Sequence, residues 1–137
     1  MSGLFHDVNT IEEGKDWIAP RFAVYNEHAK VKTADGNVID GGLYVEYCEL
    51  CRPILAKCCA KELYRMDRFQ SFFRSLELLD TPKLDADYAV AYRNETHFPT
   101  VIIQRGRVAV RAYFFQTSDY VLSLDEWSRI ICDSIRN

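Results

Sequence analysis

The sequence has no long hydrophobic run. Its apolar stretches, such as Ala112 to Phe115, fall far short of the roughly 20 residues a helix needs to cross a bilayer. No membrane-spanning helix is therefore expected in this sequence. Met1 to Asn9 contain Asp7 and no apolar h-region, so no secretory leader is expected, and the chain is expected to work inside the cell, in the nucleus or the cytoplasm. Surplus positive charge is also missing. The net charge is −3 and the sequence pI about 5.6, which argues against a protein that coats nucleic acid through bulk charge but leaves room for local basic patches. Neither GxxxxGK[ST] nor GxGxxG occurs. His6, His28 and His97 are scattered, with no Ser or Cys in a recognisable nucleophile setting. No enzyme activity and no cofactor are expected.

Cysteine is present in an odd number: Cys48, Cys51, Cys58, Cys59 and Cys132. In a reducing compartment these are free thiols unless a metal holds them. Cys48-x-x-Cys51 offers two thiolates at a spacing that suits zinc. Cys58 and Cys59, adjacent on an expected strand, would point to opposite faces and could not easily share one ion. Buried cysteine also packs as a small hydrophobe, so no metal site is expected.

What remains is an ordinary globular balance. Hydrophobic residues make up 48% and charged residues 27% of 137 residues, enough for one domain or two small lobes sharing a core. An N-terminal arm, residues 1–19, precedes alternating segments. Trp17 to Ala34 reads as a strand pair, Asp35-Gly36-Asn37 as a turn, and Leu43 to Glu49 as a strand. Ile54 to Leu63 is expected to be the next strand. Asp67 is expected to cap a helix carrying Phe69, Phe72, Phe73 and Leu76 at i, i+3, i+4 and i+7, with Pro82 closing it. Further on, Tyr88 to Tyr92, Thr100 to Gln104, Arg107 to Gln116 and Tyr120 to Leu122 read as strands, with Arg105-Gly106 as a tight turn. In the longest of these, Val108, Val110, Ala112 and Phe114 face one way, and Arg107, Ala109, Arg111, Tyr113 and Phe115 the other. Ser123-Leu124-Asp125-Glu126 is a capping box before a helix whose stripe is Trp127, Ile130, Ile131 and Ile135.

The two helices align at one constant offset, Met66-Asp67-Arg68-Phe69 against Leu124-Asp125-Glu126-Trp127 and Phe72-Phe73 against Ile130-Ile131. The expected fold class is therefore α+β: two similar antiparallel-sheet-plus-C-terminal-helix halves, residues 20–79 and 84–137, forming a pseudo-twofold domain. Both helices are expected on the same side of it, with Phe69, Phe72, Phe73 and Trp127 buried.

Three pieces occur in order: Gln104-Arg105-Gly106-Arg107, then Val108-Ala109-Val110-Arg111-Ala112-Tyr113, then Leu122-Ser123-Leu124-Asp125-Glu126-Trp127. Over Thr100 to Asn137 the chain resembles the positive-cofactor-four family of single-stranded-DNA-binding transcriptional coactivators. That family has a basic-Gly-basic hairpin turn, a strand with Arg-x-Tyr, and a helix with an early Trp. The resemblance implies a Whirly-related fold of curved sheets. It implies a partner, single-stranded DNA or RNA, in transcription or replication. Where the family pairs two units as a homodimer, this chain would carry two in one, and the whole chain is a candidate homodimer in turn.

The residues fit that chemistry. Single strands are held by basic groups along the phosphates and by aromatic faces that stack bases. Arg107, Arg111, Tyr113 and Phe115 fall at alternate positions, with Ala109 between the two arginines, and so share one strand face, with Arg105 at the turn. Lys30 and Lys32 are weaker candidates in the first half. The alternative is a protein-interaction or structural protein on the same fold, its acidic surface suited to a basic protein partner and its paired sheets to dimerisation.

Overall fold

The computed structural model describes residues 10–14, 21–32, 36, 38–70, 76–93, 99–116 and 123–135. The fold is α+β. Seven strands, β1 (Thr10–Gly14), β2 (Arg21–Lys32), β3 (Val38–Glu49), β4 (Glu77–Leu79), β5 (Tyr88–Arg93), β6 (Thr100–Arg105) and β7 (Val108–Gln116), form one sheet. Two helices, α1 (Pro53–Gln70) and α2 (Leu124–Ser134), complete the described elements. The strand order is β1-β2-β3-β7-β6-β5-β4, and each neighbouring pair runs antiparallel. Two meanders, β1 to β3 and β4 to β7, therefore meet at the β3–β7 pair, where Tyr44 lies opposite Tyr113 and Glu46 opposite Arg111. The β6–β7 turn is Gly106-Arg107, with Gly106 at φ 58°. A two-residue hairpin loop with the strands' own twist needs that left-handed conformation, which glycine adopts without steric cost.

Strand alternation sends one set of side chains to each face of the sheet. Val45, Ala91, Val101, Ile103, Val108, Val110 and Ala112 pack with Trp127, Ile131, Cys132 and Ile135 of the α2 segment. The other face presents Cys48, Tyr92, Ile102 and Ala109 to Ala56, Cys59, Ala60 and Leu63 of α1. The central strands are thus buried on both sides, between helices on opposite faces. The expectation of both helices on one side is overturned. The stripes explain it, since consecutive residues of β6 such as Ile102 and Ile103 are both fully buried and each needs its own cover.

The segment expected as a strand, Ile54 to Leu63, is the body of α1. Its buried residues fall at i, i+3, i+4 and i+7 (Ala56, Cys59, Ala60 and Leu63), a helical stripe made mostly of small side chains. Pro53 stands at the first helical position, where its missing N–H costs nothing. Arg52 contributes its carbonyl, accepting from the amides of Leu55 and Ala56 at 3.1 and 3.2 Å. Asp67 accordingly lies in the last turns of a helix and caps no new one. Phe69 is 74% exposed, against the expectation of burial, because it sits on α1's outer side. Met66 to Phe69 end one helix while Leu124 to Trp127 begin another, so the residue-for-residue pairing of the two helices fails. Phe72, Phe73 and the strand expected at Tyr120 to Leu122 lie outside the described residues.

The second helix follows expectation. Ser123 is its N-cap, its hydroxyl accepting from the Glu126 amide at 3.1 Å, and Trp127 is 3% exposed. Strands β5, β6 and β7 fall where alternation places them. No helix among the described residues is long and apolar enough to cross a membrane.

Candidate functional site

The residues proposed from sequence to hold a nucleic-acid strand do not converge on one surface. Arg111 points from β7 toward α1 and is 17% exposed. Its guanidinium pairs with Asp67 at 2.7 Å and with Glu46. Tyr44 donates to Glu46 at 2.7 Å, and Tyr92 donates to Asp67. Burial works against the Arg111 charge, but Glu46 and Asp67 outweigh it and hold the guanidinium above its ordinary value. Burial, reinforced by the same carboxylates, pushes the phenols of Tyr44 and Tyr92 upward. Arg111 is thus the cation of an internal network, its charge already met by two carboxylates.

Arg105 turns to the opposite face. It donates to the carbonyls of Cys132 and Ile135 at 3.2 and 3.1 Å, and to Asp85 at 3.0 Å. Those carbonyls close α2, so Arg105 caps the negative end of that helix. Arg107 is exposed at the hairpin turn, and its carbonyl accepts from the Leu50 amide at 2.9 Å. Tyr113 stacks on Tyr44, with ring centroids 5.0 Å apart and planes at 19°. Lys30 and Lys32 sit on β2 opposite Asp40 and Val38; their side chains lie outside the described residues, as do His6 and His97.

A different cationic surface exists that the sequence reading missed. Lys57, Lys61, Arg65 and Arg68 recur at i, i+4, i+8 and i+11 along α1, away from the buried stripe, and exposed Arg52 precedes them. Lys61 lies 5.9 Å from the Tyr88 ring centroid, and the Arg68 guanidinium 5.7 Å from that of Tyr64. Exposed Phe69 follows. Arg65 pairs with Glu62, its Nε donating at 2.8 Å, while the other carboxylate of the helix, Asp67, is turned inward to Arg111. Once the segment is a helix, the spacing of the lysines and arginines is itself the signal; on a strand the same residues scatter over two faces. The backbone contact between Leu50 and Arg107 puts the hairpin turn near the start of this row.

Beside the last turn of α1, Tyr44, Glu46, Asp67, Thr100, Arg111 and Tyr113 line an open pocket of about 250 Å³. All five cysteines are free thiols, with Cys51 and Cys58 exposed and the others buried. Cys48 and Cys59 share the α1-side core. No group of three or more His, Cys, Asp or Glu side chains among the described residues is placed to hold a metal. Comparison with protein-family models, curated proteins and solved structures finds no match to this chain.

Proposed function

We propose that this chain is a non-enzymatic binding module for single-stranded nucleic acid, acting in transcription or replication in the nucleus or cytoplasm, and that it holds the strand on the outer face of α1. The observation that carries the reading is the row of exposed Lys61, Arg65 and Arg68 with half-buried Lys57 at its start, interleaved with Tyr64, Tyr88 and exposed Phe69, in a chain of net charge −3. Basic groups along phosphates and aromatic faces under bases are what strand binding requires. The acidic remainder confines attraction to this face. Arg107 and Arg52 extend the row at its start; Arg105 and Arg111 serve the fold.

Fluorescence-anisotropy titration of the protein with single-stranded oligonucleotides at several salt concentrations tests this. The logarithm of affinity should fall linearly with the logarithm of salt, by about 0.7 per phosphate contact. The combined variant Lys57→Ala, Lys61→Ala, Arg65→Ala and Arg68→Ala should flatten that slope by about 2 to 3 while the fold survives. Absence of binding at low ionic strength, where attraction is least screened, would remove the reading. Ile54 and Leu55, 60% and 37% exposed beside the row, would then favour an acidic protein segment with apolar residues as partner. That reverses the basic partner expected from net charge.

A further inference from the structure

The pocket at the end of α1 has a composition the phosphate-binding row does not explain. Its volume of about 250 Å³ is below the roughly 300–1,000 Å³ of drug-sized sites and suits a single heterocycle. One wall is aromatic. Tyr44 and Tyr113 are stacked there. The other wall is polar, with two carboxylates, Glu46 and Asp67, around one guanidinium, Arg111. Two negative charges against one positive repel phosphate, so an anion is not the occupant. A flat ligand with more donors than acceptors is favoured.

We propose that this pocket takes one base of the bound strand and selects guanine, an inference that rests on the strand reading above for delivery of the base. The hydrogen-bonding edge of guanine offers two adjacent donors, N1–H and the N2 amino group, and one acceptor, O6. Thymine and cytosine each offer one donor flanked by, or beside, two acceptors, and adenine one of each. An ionised carboxylate has about four acceptor sites, so Asp67 retains capacity beyond its contacts to Arg111 and Tyr92. Asp67 receives the two donors, Arg111 meets O6, and the base plane lies against Tyr113. Asp67 belongs to the pocket while Arg68, the next residue, belongs to the outward row, so a strand following α1 ends at the pocket mouth.

The test compares short oligothymidylates carrying guanine, adenine or cytosine at one central position, by anisotropy. A parallel titration of the protein with guanosine and with uridine is followed by tyrosine fluorescence. The guanine oligonucleotide should bind about five- to hundredfold more tightly than the all-thymine strand, and guanosine, not uridine, should quench the tyrosines. Asp67→Asn should remove the preference. Because that change also disturbs Arg111, Tyr113→Leu serves as a second variant: it should weaken guanosine binding and leave the salt slope unchanged. Equal affinity for the four strands, or a guanine preference that survives Tyr113→Leu, overturns the pocket while the α1 reading stands. Saturable guanosine binding without oligonucleotide binding supports the pocket and overturns the strand reading. Loss of both removes both.

Discussion

A buried arginine between two carboxylates carries a cost that only its partners offset. Arg111 is 17% exposed and Glu46 5%. Removing one member strands the others in a poorly solvated site, which typically costs about 3–5 kcal/mol. Arg111→Ala is therefore expected to lower the urea midpoint sharply, whereas Arg111→Met together with Glu46→Gln should recover part of the loss. Arg105→Ala removes charge-assisted bonds to the last carbonyls of α2, worth about 1.5–3 kcal/mol each at most. Arg105→Lys should restore little, since a point charge cannot bridge two carbonyls and Asp85 as a planar fork does. Neither change should alter the salt dependence of oligonucleotide binding by more than one contact's share. Tyr92 supplies a pH signature. Its phenol, ordinarily near 10, is raised by burial and by Asp67, so the folded state keeps a proton that the unfolded state releases. Stability is complete below the unfolded value and declines as pH rises above about 10. Urea midpoints measured from pH 8 to 11 should fall at the alkaline end, and less steeply in Tyr92→Phe.

Each helix has a sequence signature of different strength. For α2 the cap and the stripe agree: Ser123→Ala should cost about 1 kcal/mol, and Trp127→Ala about 3–5 kcal/mol through the cavity it leaves, both read from thermal or urea unfolding. An undiminished melting profile for Trp127→Ala would contradict its burial. In α1 the buried stripe is Ala56, Cys59, Ala60 and Leu63. Three of these are small, so the apolar periodicity is faint while the flanking charges are loud. Leu63→Ala removes the one large side chain of that stripe and should cost about 2–5 kcal/mol. The neighbouring phenylalanines, Phe69, Phe72 and Phe73, supplied a stronger helical pattern a turn further on, and they drew the expected helix to the wrong segment.

Across the whole molecule, the sheet binds the two meanders through β3 and β7. The nine paired positions from Gly41 with Gln116 to Glu49 with Val108 join residues far apart in sequence. Strands β6 and β7 lie between two helices, and their amides should be the slowest to exchange with deuterium. Those of β4, a three-residue edge strand, should be among the fastest. Exchange that protects β4 as strongly as β6 would contradict this arrangement.

The sequence by itself determined the class of fold, the strands β5, β6 and β7, the hairpin at Gly106, and α2 with its Ser123 cap and Trp127 stripe. These rest on local rules: alternation, positive φ at a two-residue turn, and capping chemistry. The fate of each arginine was decided only by the tertiary structure. Arg105, Arg107 and Arg111 look alike in sequence, a basic turn and a basic strand face. Distant residues set them apart, since Asp85 and the end of α2 hold Arg105, Glu46 and Asp67 enclose Arg111, and Arg107 alone keeps its exposure. Ion pairing between remote segments leaves no mark on local periodicity. The same holds for the opposite placement of the helices, which follows from both faces of the central strands needing cover.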